Sequence, residues 1–301
     1  MNVRQKFRAL IKAPGMTMAP GAYDALSARI IEAQGFEAMT AGGYAAVGSM
    51  LGQPDTGQSN MRDYADHYAR ICAAVNIPVY VDADTGFGGV NNVRQMIRAF
   101  EAAGVAAVFI SDQVFPNRCG YMAGKQVVPV EEMLSKMKAA LDARTDPNLF
   151  IVARSDAYHV EGLDKAIERC QMYMDLGCDA AKPMGADKIE EFKRVIREVP
   201  GPQIANFSNA NPKGWPPFDE LEAAGAAMVS YPSAALFAAV GGVTRAMAAL
   251  KRDRNVDAVR QELIGLQDYY NLVGLDAQNE KEEGYLATAQ ETVAKHGVRR
   301  G

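Results

Sequence analysis

Ala106-Ala-Val-Phe-Ile-Ser-Asp-Gln-Val-Phe-Pro-Asn-Arg-Cys-Gly120 holds, in one stretch, the pattern that decides the fold. Its first five residues are a continuous apolar run, which predicts a buried strand. The run stops at Ser111-Asp112, and a polar, glycine-bearing segment follows. The same succession recurs along the chain. Short β-like runs at residues 17–20, 36–40, 79–82, 106–111, 150–154, 180–182, 203–206 and 228–230 alternate with helical patterns such as 92–103, 130–143, 163–176 and 188–198. Gly35, Gly104, Gly177 and Gly225 stand where helix C-termini are expected. Eight repeats of strand and helix argue for a (β/α)8 TIM-type barrel over an open doubly wound sheet. No G-x-G-x-x-G opens a helix after the first strand, which weakens a dinucleotide-binding reading.

The 301 residues suit one such barrel with something left over, and nearly half of them are apolar. A net charge of −4 predicts no nucleic-acid or anionic-membrane partner. No apolar stretch approaches the roughly 20 residues of a membrane span, and the start has no signal-peptide apolar region. Cys72, Cys119, Cys170 and Cys178 show no CxxC spacing, so neither a zinc site nor a disulfide framework is indicated, and a reducing cytoplasm is the expected home. Residues 1–240 are read as the catalytic barrel and 241–301 as a helical appendage. After Ser230 an apolar helical run covers 232–250, a second helix candidate follows at 257–270, and the chain ends in a charged tail over 276–301. That tail either packs on a neighbouring subunit or the barrel mouth, or is a frayed terminus.

In such barrels the active site lies at the C-terminal ends of the strands. Those ends read Thr40-Ala-Gly-Gly-Tyr44, Asp82-Ala-Asp84, Ser111-Asp112, Arg154-Ser-Asp156, Lys182 and Asn206-Phe-Ser208. Asp82 and Asp84, two apart, would project to one side of an extended chain. With Asp112 nearby they suit Mg²⁺ or Mn²⁺, hard cations that take oxygen ligands; the alternative is that Asp84 only caps the turn Thr85-Gly-Phe-Gly-Gly89. That turn could also cradle phosphate, but it lacks the P-loop Lys-Ser/Thr. Ala41-Gly-Gly43 would let backbone N–H groups approach an anion. Arg154 needs an anionic partner, either a substrate carboxylate or an aspartate such as Asp156 or Asp82. Tyr44 is either a packed aromatic or an acid/base phenol. Cys119, beside Arg118 and close to Lys125, has cations that would favour its thiolate, and this favours a working thiol over an inert one. With only three histidines, histidine-based triads are disfavoured.

Gly21-Ala-Tyr-Asp-Ala25, Gly42-Gly43, Leu51-Gly-Gln-Pro-Asp55, Val81-Asp-Ala-Asp-Thr-Gly-Phe-Gly-Gly89, Asp112-Gln113, Arg118-Cys-Gly120, Ala153-Arg-Ser-Asp-Ala157 and Asn206 together resemble the isocitrate lyase/phosphoenolpyruvate mutase superfamily, closest to its 2-methylisocitrate and 2,3-dimethylmalate lyase branch. The resemblance implies an α/β barrel with Mg²⁺, often a homotetramer with C-terminal helices swapped between subunits. It implies that Asp82 and Asp84 hold the metal, with Asp55 and Asp112 in its hydration shell. Ala41, Gly42, Gly43, Gly120, Arg154, Asn206 and Ser208 would bind the acid substrate. Cys119 would protonate the carbanion left by C–C cleavage, and Tyr44 would help remove the hydroxyl proton.

Departures narrow the expectation. Ser111 and Met184 stand where the lyases carry acidic residues, and Tyr121 follows the cysteine motif in place of histidine. Phe237 and Tyr269 correspond to arginines that hold extra carboxylates, and losing such a cation is not a conservative change. The reading is therefore a carbon–carbon lyase for a 2-hydroxy acid or dicarboxylate, with an apolar distal pocket from Phe207, Trp215, Phe237 and Tyr269. The alternatives are an oxaloacetate-type decarboxylase or hydrolase, a phosphonate mutase or hydrolase, and a non-catalytic metabolite-binding barrel.

Overall fold

Eight parallel strands follow one another around the computed structural model, which describes residues 1–120, 122, 124–186, 188–207 and 216–296. They are β1 (Thr17–Pro20), β2 (Met39–Ala41), β3 (Val79–Asp82), β4 (Ala107–Ser111), β5 (Phe150–Ser155), β6 (Ala180–Pro183), β7 (Ile204–Asn206) and β8 (Met228–Tyr231). One ladder runs β2-β3-β4-β5-β6 and another β1-β8-β7, and a parallel bridge from Gly21 to Thr40 joins β1 to β2. Helices separate the strands, the arrangement that keeps parallel neighbours in sequence order. The expected strands are present within a few residues of their predicted bounds.

Side chains two apart on each strand share a face, and the inward set fills the barrel. Tyr80, Ala107, Phe109, Phe150, Val152, Ala180, Ile204 and Met228 form one buried cluster. Phe7, from the helix Val3–Lys12, packs into it against Tyr80 and Phe150, with ring centroids 5.9 and 5.3 Å apart. The outward set, including Val79, Val81, Val108, Ile110, Ile151 and Ala153, packs on the surrounding helices. Both faces of these strands are thus buried, which is why their sequence reads as continuous apolar runs.

By internal packing the chain divides into Met1–Val240 and Gly241–Gly301. The second unit departs from the predicted single helix over 257–270. A short 3₁₀ segment, Asp257–Glu262, is followed by a separate helix, Leu266–Val273, because the chain turns extended at Leu263 and Gly265. The charged tail is ordered as a long helix, Leu275–Lys295, with no buried residue. Its Ala, Glu, Gln and Lys content supplies helix propensity without an apolar stripe. The apolar run after β8 forms a helix of 20 residues, Ala234–Asp253, long and apolar enough to meet a membrane-span criterion by length and composition. That corrects the expectation that no stretch approaches this length; the helix carries Arg245, Lys251 and Arg252.

Candidate active site

The strand ends surround a cavity of about 280 Å³. Gly42, Gly43, Tyr44, Asp55, Asp82, Cys119, Gly120, Arg154 and Asn206 all line it, so most of the predicted residues meet at one place. Ala41 does not line it; its side chain faces outward into the helix-packed core. Ser208 and Trp215 lie outside the described residues.

Asp82 closes β3 and is 6 % exposed. Its Oδ1 accepts the Asp84 N–H at 2.9 Å and its Oδ2 the Gly43 N–H at 3.1 Å. The Gly43 amide is thereby used by the protein, not left open for substrate. A Cβ on Gly43 would lie 2.9 Å from the Tyr64 hydroxyl and 3.1 Å from Asp82 Oδ2, so only glycine fits. Asp84 has already left the strand. Its φ of +45° is a left-handed backbone that few non-glycine residues adopt. This turn, and not strand alternation, brings its carboxylate beside that of Asp82. Asp84 Oδ1 accepts from Asn117 Nδ2 at 3.0 Å, and Asp84 sits behind Asp82 instead of lining the cavity.

Three carboxylates are therefore packed with few donors. Burial first, then Asp82, pushes Asp55 up to about 6. Burial, then Asp82 and Asp55, pushes Asp84 well above the carboxylate range, and burial also raises Asp82 against the pull of Arg154. Asp55 Oδ1, the Tyr64 hydroxyl and Asn117 Oδ1 are buried without a hydrogen-bond partner. Orphaned oxygens and mutually repelling carboxylates fit a divalent cation, which would reverse the penalty on the charged forms. No three acidic, histidine or cysteine side chains among the described residues enclose an ion by themselves. That donor set suits Mg²⁺, which keeps several waters and takes one or two carboxylates.

Asp112 is not part of this group. It is fully buried, accepting from Ser155 Oγ at 2.8 Å, the Asp156 N–H at 2.7 Å and the Tyr173 hydroxyl at 3.1 Å. Arg169 Nη1 stands 3.5 Å away. Ser111 turns inward, so Asp112, one residue on, turns to the other side of the strand. Its expected place in a metal's hydration shell is corrected to a structural anchor between strands. The turn Thr85–Gly89 is likewise structural: a Cβ on Gly86 would strike Val93, and Phe87 packs 5.4 Å from Tyr64.

Arg154 resolves its open partner as Asp156. Nη2 donates to Oδ1 at 2.9 Å and Nε lies 2.8 Å from Oδ2, though no acceptor is aligned with the Nε–H. Ser111 Oγ also donates to Asp156, at 2.9 Å. Arg154 remains exposed to the cavity, and among the described residues it is the one cationic side chain lining it. Lys182 lies beneath, its Nζ 4.5 Å from the Phe109 ring centroid and 5.2 Å from that of Tyr80. Burial and then Arg154 push it down to about 7. Cys119 is half-buried and lines the cavity at its rim. Tyr44 is 36 % exposed and stacks edge-on with Phe237 at 6.0 Å. Of the predicted apolar wall, Phe237 lines the cavity, whereas Phe207 is buried with Phe192 and Leu221. Tyr64, Asn117, Met122 and Lys125 were not singled out as site residues by the sequence. Asn117 and Met122 flank Cys119 in the same loop, and Tyr64 reads as an ordinary core residue of the helix Met61–Ala74.

The phosphoenolpyruvate phosphomutase family pattern matches residues 7–251. The chain belongs to the phosphoenolpyruvate mutase/isocitrate lyase superfamily. A 2,3-dimethylmalate lyase from Eubacterium barkeri is 37 % identical over 285 residues, covering 95 % of this chain and 99 % of that one. A 2-methylisocitrate lyase from Aeropyrum pernix is 34 % identical over 96 % of this chain and 93 % of its own. Oxaloacetate acetylhydrolase, solved with 3,3-difluorooxalacetate, superposes with a TM-score of 0.89 at 26 % identity, over 94 % of this chain and 97 % of that one. Within the superfamily this chain is a carbon–carbon lyase built on a TIM barrel.

Proposed function

We propose that this lyase is Mg²⁺-dependent and cleaves a 2-hydroxy acid or dicarboxylate with an apolar distal substituent, releasing pyruvate or another 2-oxo acid. The observation that carries the reading is that Cys119, Arg154, Asp55 and Asp82 line one small cavity. Asp82, with Asp84 and Asp55 behind and beside it, would hold the ion, whose charge when bound stabilises the keto-acid oxygens. Arg154 orients the substrate carboxylate. The positive end of the helix Gly43–Leu51, whose Gly43 and Tyr44 line the cavity, favours the same anion through its dipole. Tyr44, at the cavity rim, helps take the hydroxyl proton. Cys119 delivers a proton to the carbanion as the second fragment leaves, work worth roughly 10²–10⁴-fold for a general acid. Met122, Met184 and Phe237 supply apolar wall, and a single lining cation beside the bound ion leaves a third carboxylate without a partner. This favours a distal alkyl group over a tricarboxylate.

One further feature of the molecule supports an oligomer such as a homotetramer with exchanged C-terminal helices. Val243, Met247, Ile264 and Tyr285 are exposed apolar residues of Gly241–Gly301. Four free cysteines suit a reducing cytoplasm.

A panel of 2-hydroxy and 2-oxo acids, with and without Mg²⁺, tests the reading. Release of a 2-oxo acid from an alkyl-substituted malate is the expected result. Release of CO₂ or of acetate from oxaloacetate, with no malate cleaved, would replace it by the decarboxylase or hydrolase alternative.

A further inference from the structure

Lys125 was met in the sequence only as a cation near Cys119, and in the structure it does something more specific. Its side chain is 2 % exposed. Nζ donates to the carbonyl of Gly120, the residue after the thiol, and lies 3.4 Å from Asp156 Oδ1. That same oxygen accepts from Arg154 Nη2 at 2.9 Å. Gly120 itself is pressed onto the guanidinium: a Cβ there would lie 2.6 Å from Arg154 Nη2 and 3.0 Å from Met184 Cε. The backbone carrying the thiol therefore rests on the arginine, and is held there by an ammonium whose counter-charge is the arginine's own partner.

Burying an ammonium is costly, and burial pushes the Lys125 amine down in spite of Asp156. Asp156 does not require it as a partner, since Arg154 and Ser111 already engage that carboxylate. A lysine kept under those conditions is explained by what its remaining bond fixes, the Gly120 carbonyl.

We propose that Lys125 is a positioning residue that sets the Cys119 thiol in register with the Arg154 guanidinium, through the chain Gly120 carbonyl, Lys125 ammonium, Asp156 carboxylate and Arg154. A substrate carboxylate reaching Arg154 adds a second anion to this group and draws the ammonium side of the chain tighter. Occupancy of the arginine and placement of the thiol are then coupled, and coupling of this kind acts in both directions. The proposal rests on the reading that Cys119 and Arg154 serve one site.

The test is alkylation of Cys119 by iodoacetamide, followed by peptide mapping to separate it from the other cysteines. Rates are taken at neutral pH, where Lys125 carries its proton, and each is divided by the thiolate fraction from that variant's own rate–pH profile, so that differences in acidity drop out. Wild type, Lys125→Met and Lys125→Arg are compared, each with and without Mg²⁺ and oxalate. Oxalate should protect wild-type Cys119, whereas Lys125→Met should react about tenfold faster than wild type in its presence. Lys125→Arg should restore most of the protection. Should Lys125→Met fold poorly, Gly120→Ala, which displaces the same backbone from Arg154, should give the same loss of protection. Equal protection in wild type and in the folded variants overturns the proposal. Because alkylation is read without turnover, full activity in Cys119→Ala would sink the shared-site reading and leave this result standing on its own.

Discussion

Asp84 and Asp156 are both enclosed carboxylates just past the ends of barrel strands, and their surroundings have opposite effects. Asp156 stands between Arg154 and Lys125 and takes a further hydrogen bond from Ser111. Although burial works against it, those cations hold it below the usual carboxylate range. Asp84 has Asp82 and Asp55 for neighbours and one amide donor, Asn117, and is driven well above that range. The fifth-strand end is a finished ion-pair network. The third-strand end is an anionic cluster stable in its charged form only if something positive joins it. Sequence shows two aspartates of equal rank; the packing around them separates scaffold from binding site.

The contrast can be broken most forcefully at Asp156. Asp156→Asn leaves two buried cations facing a neutral amide, and removing one partner of a buried pair costs about 3–5 kcal/mol. Urea unfolding should show that loss at neutral pH. Because the folded pKa of Asp156 is lowered, its contribution is present above the unfolded carboxylate value and fades as pH falls through the folded one. The variant and wild type should therefore converge in acid.

At the other pole the sign reverses. Asp55 titrates at about 6 in the metal-free fold, against an ordinary value of 3.8. Its stability contribution is present below the ordinary value and is lost as pH rises through about 6. In EDTA, Asp55→Asn should gain on wild type across that window by roughly 3 kcal/mol, at about 1.4 kcal/mol per unit. A loss of stability in the variant would contradict the anionic-cluster account. Mg²⁺ should shrink the gap, since at about 100 times its dissociation constant a ligand of the folded state adds about 2.7 kcal/mol. That gain, read as a thermal shift, should be absent in Asp82→Asn. The smallest effect is expected at Phe237. Phe237→Ala should raise KM for an alkyl-substituted substrate about tenfold, the scale of a lost apolar contact, and leave unsubstituted substrates nearly unchanged.

The barrel was legible because strands buried on both faces carry unbroken apolar runs, such as 106–110, and glycines mark where helices end. Gly104 and Gly225 do so at φ of +89° and +97°. The second unit was less legible. The break at Leu263–Gly265 has no proline, and a helix with no buried face leaves no periodic stripe to read. In the site, Asp82, Arg154 and Cys119 could be chosen because charged or reactive groups at strand ends stand out against their surroundings. Asp84 was found by a spacing argument, although a left-handed turn and not strand alternation brings it into place. Asp112 was misplaced because adjacency to Ser111 does not say which side of the strand a residue takes. Tyr64 and Lys125 stayed hidden because what matters is the atom their polar tips reach, Asp82 and Asp84 beside one and the Gly120 carbonyl for the other, and that is decided by tertiary packing.

The central claim is that a thiol, a guanidinium and an anionic cluster act on one bound acid. Cys119→Ala should be assayed for 2-oxo acid release from a cleaved 2-hydroxy acid, with Mg²⁺ affinity measured by calorimetry on the same preparation. The account predicts turnover reduced by about 10²-fold or more with metal affinity unchanged. Turnover equal to wild type would contradict it.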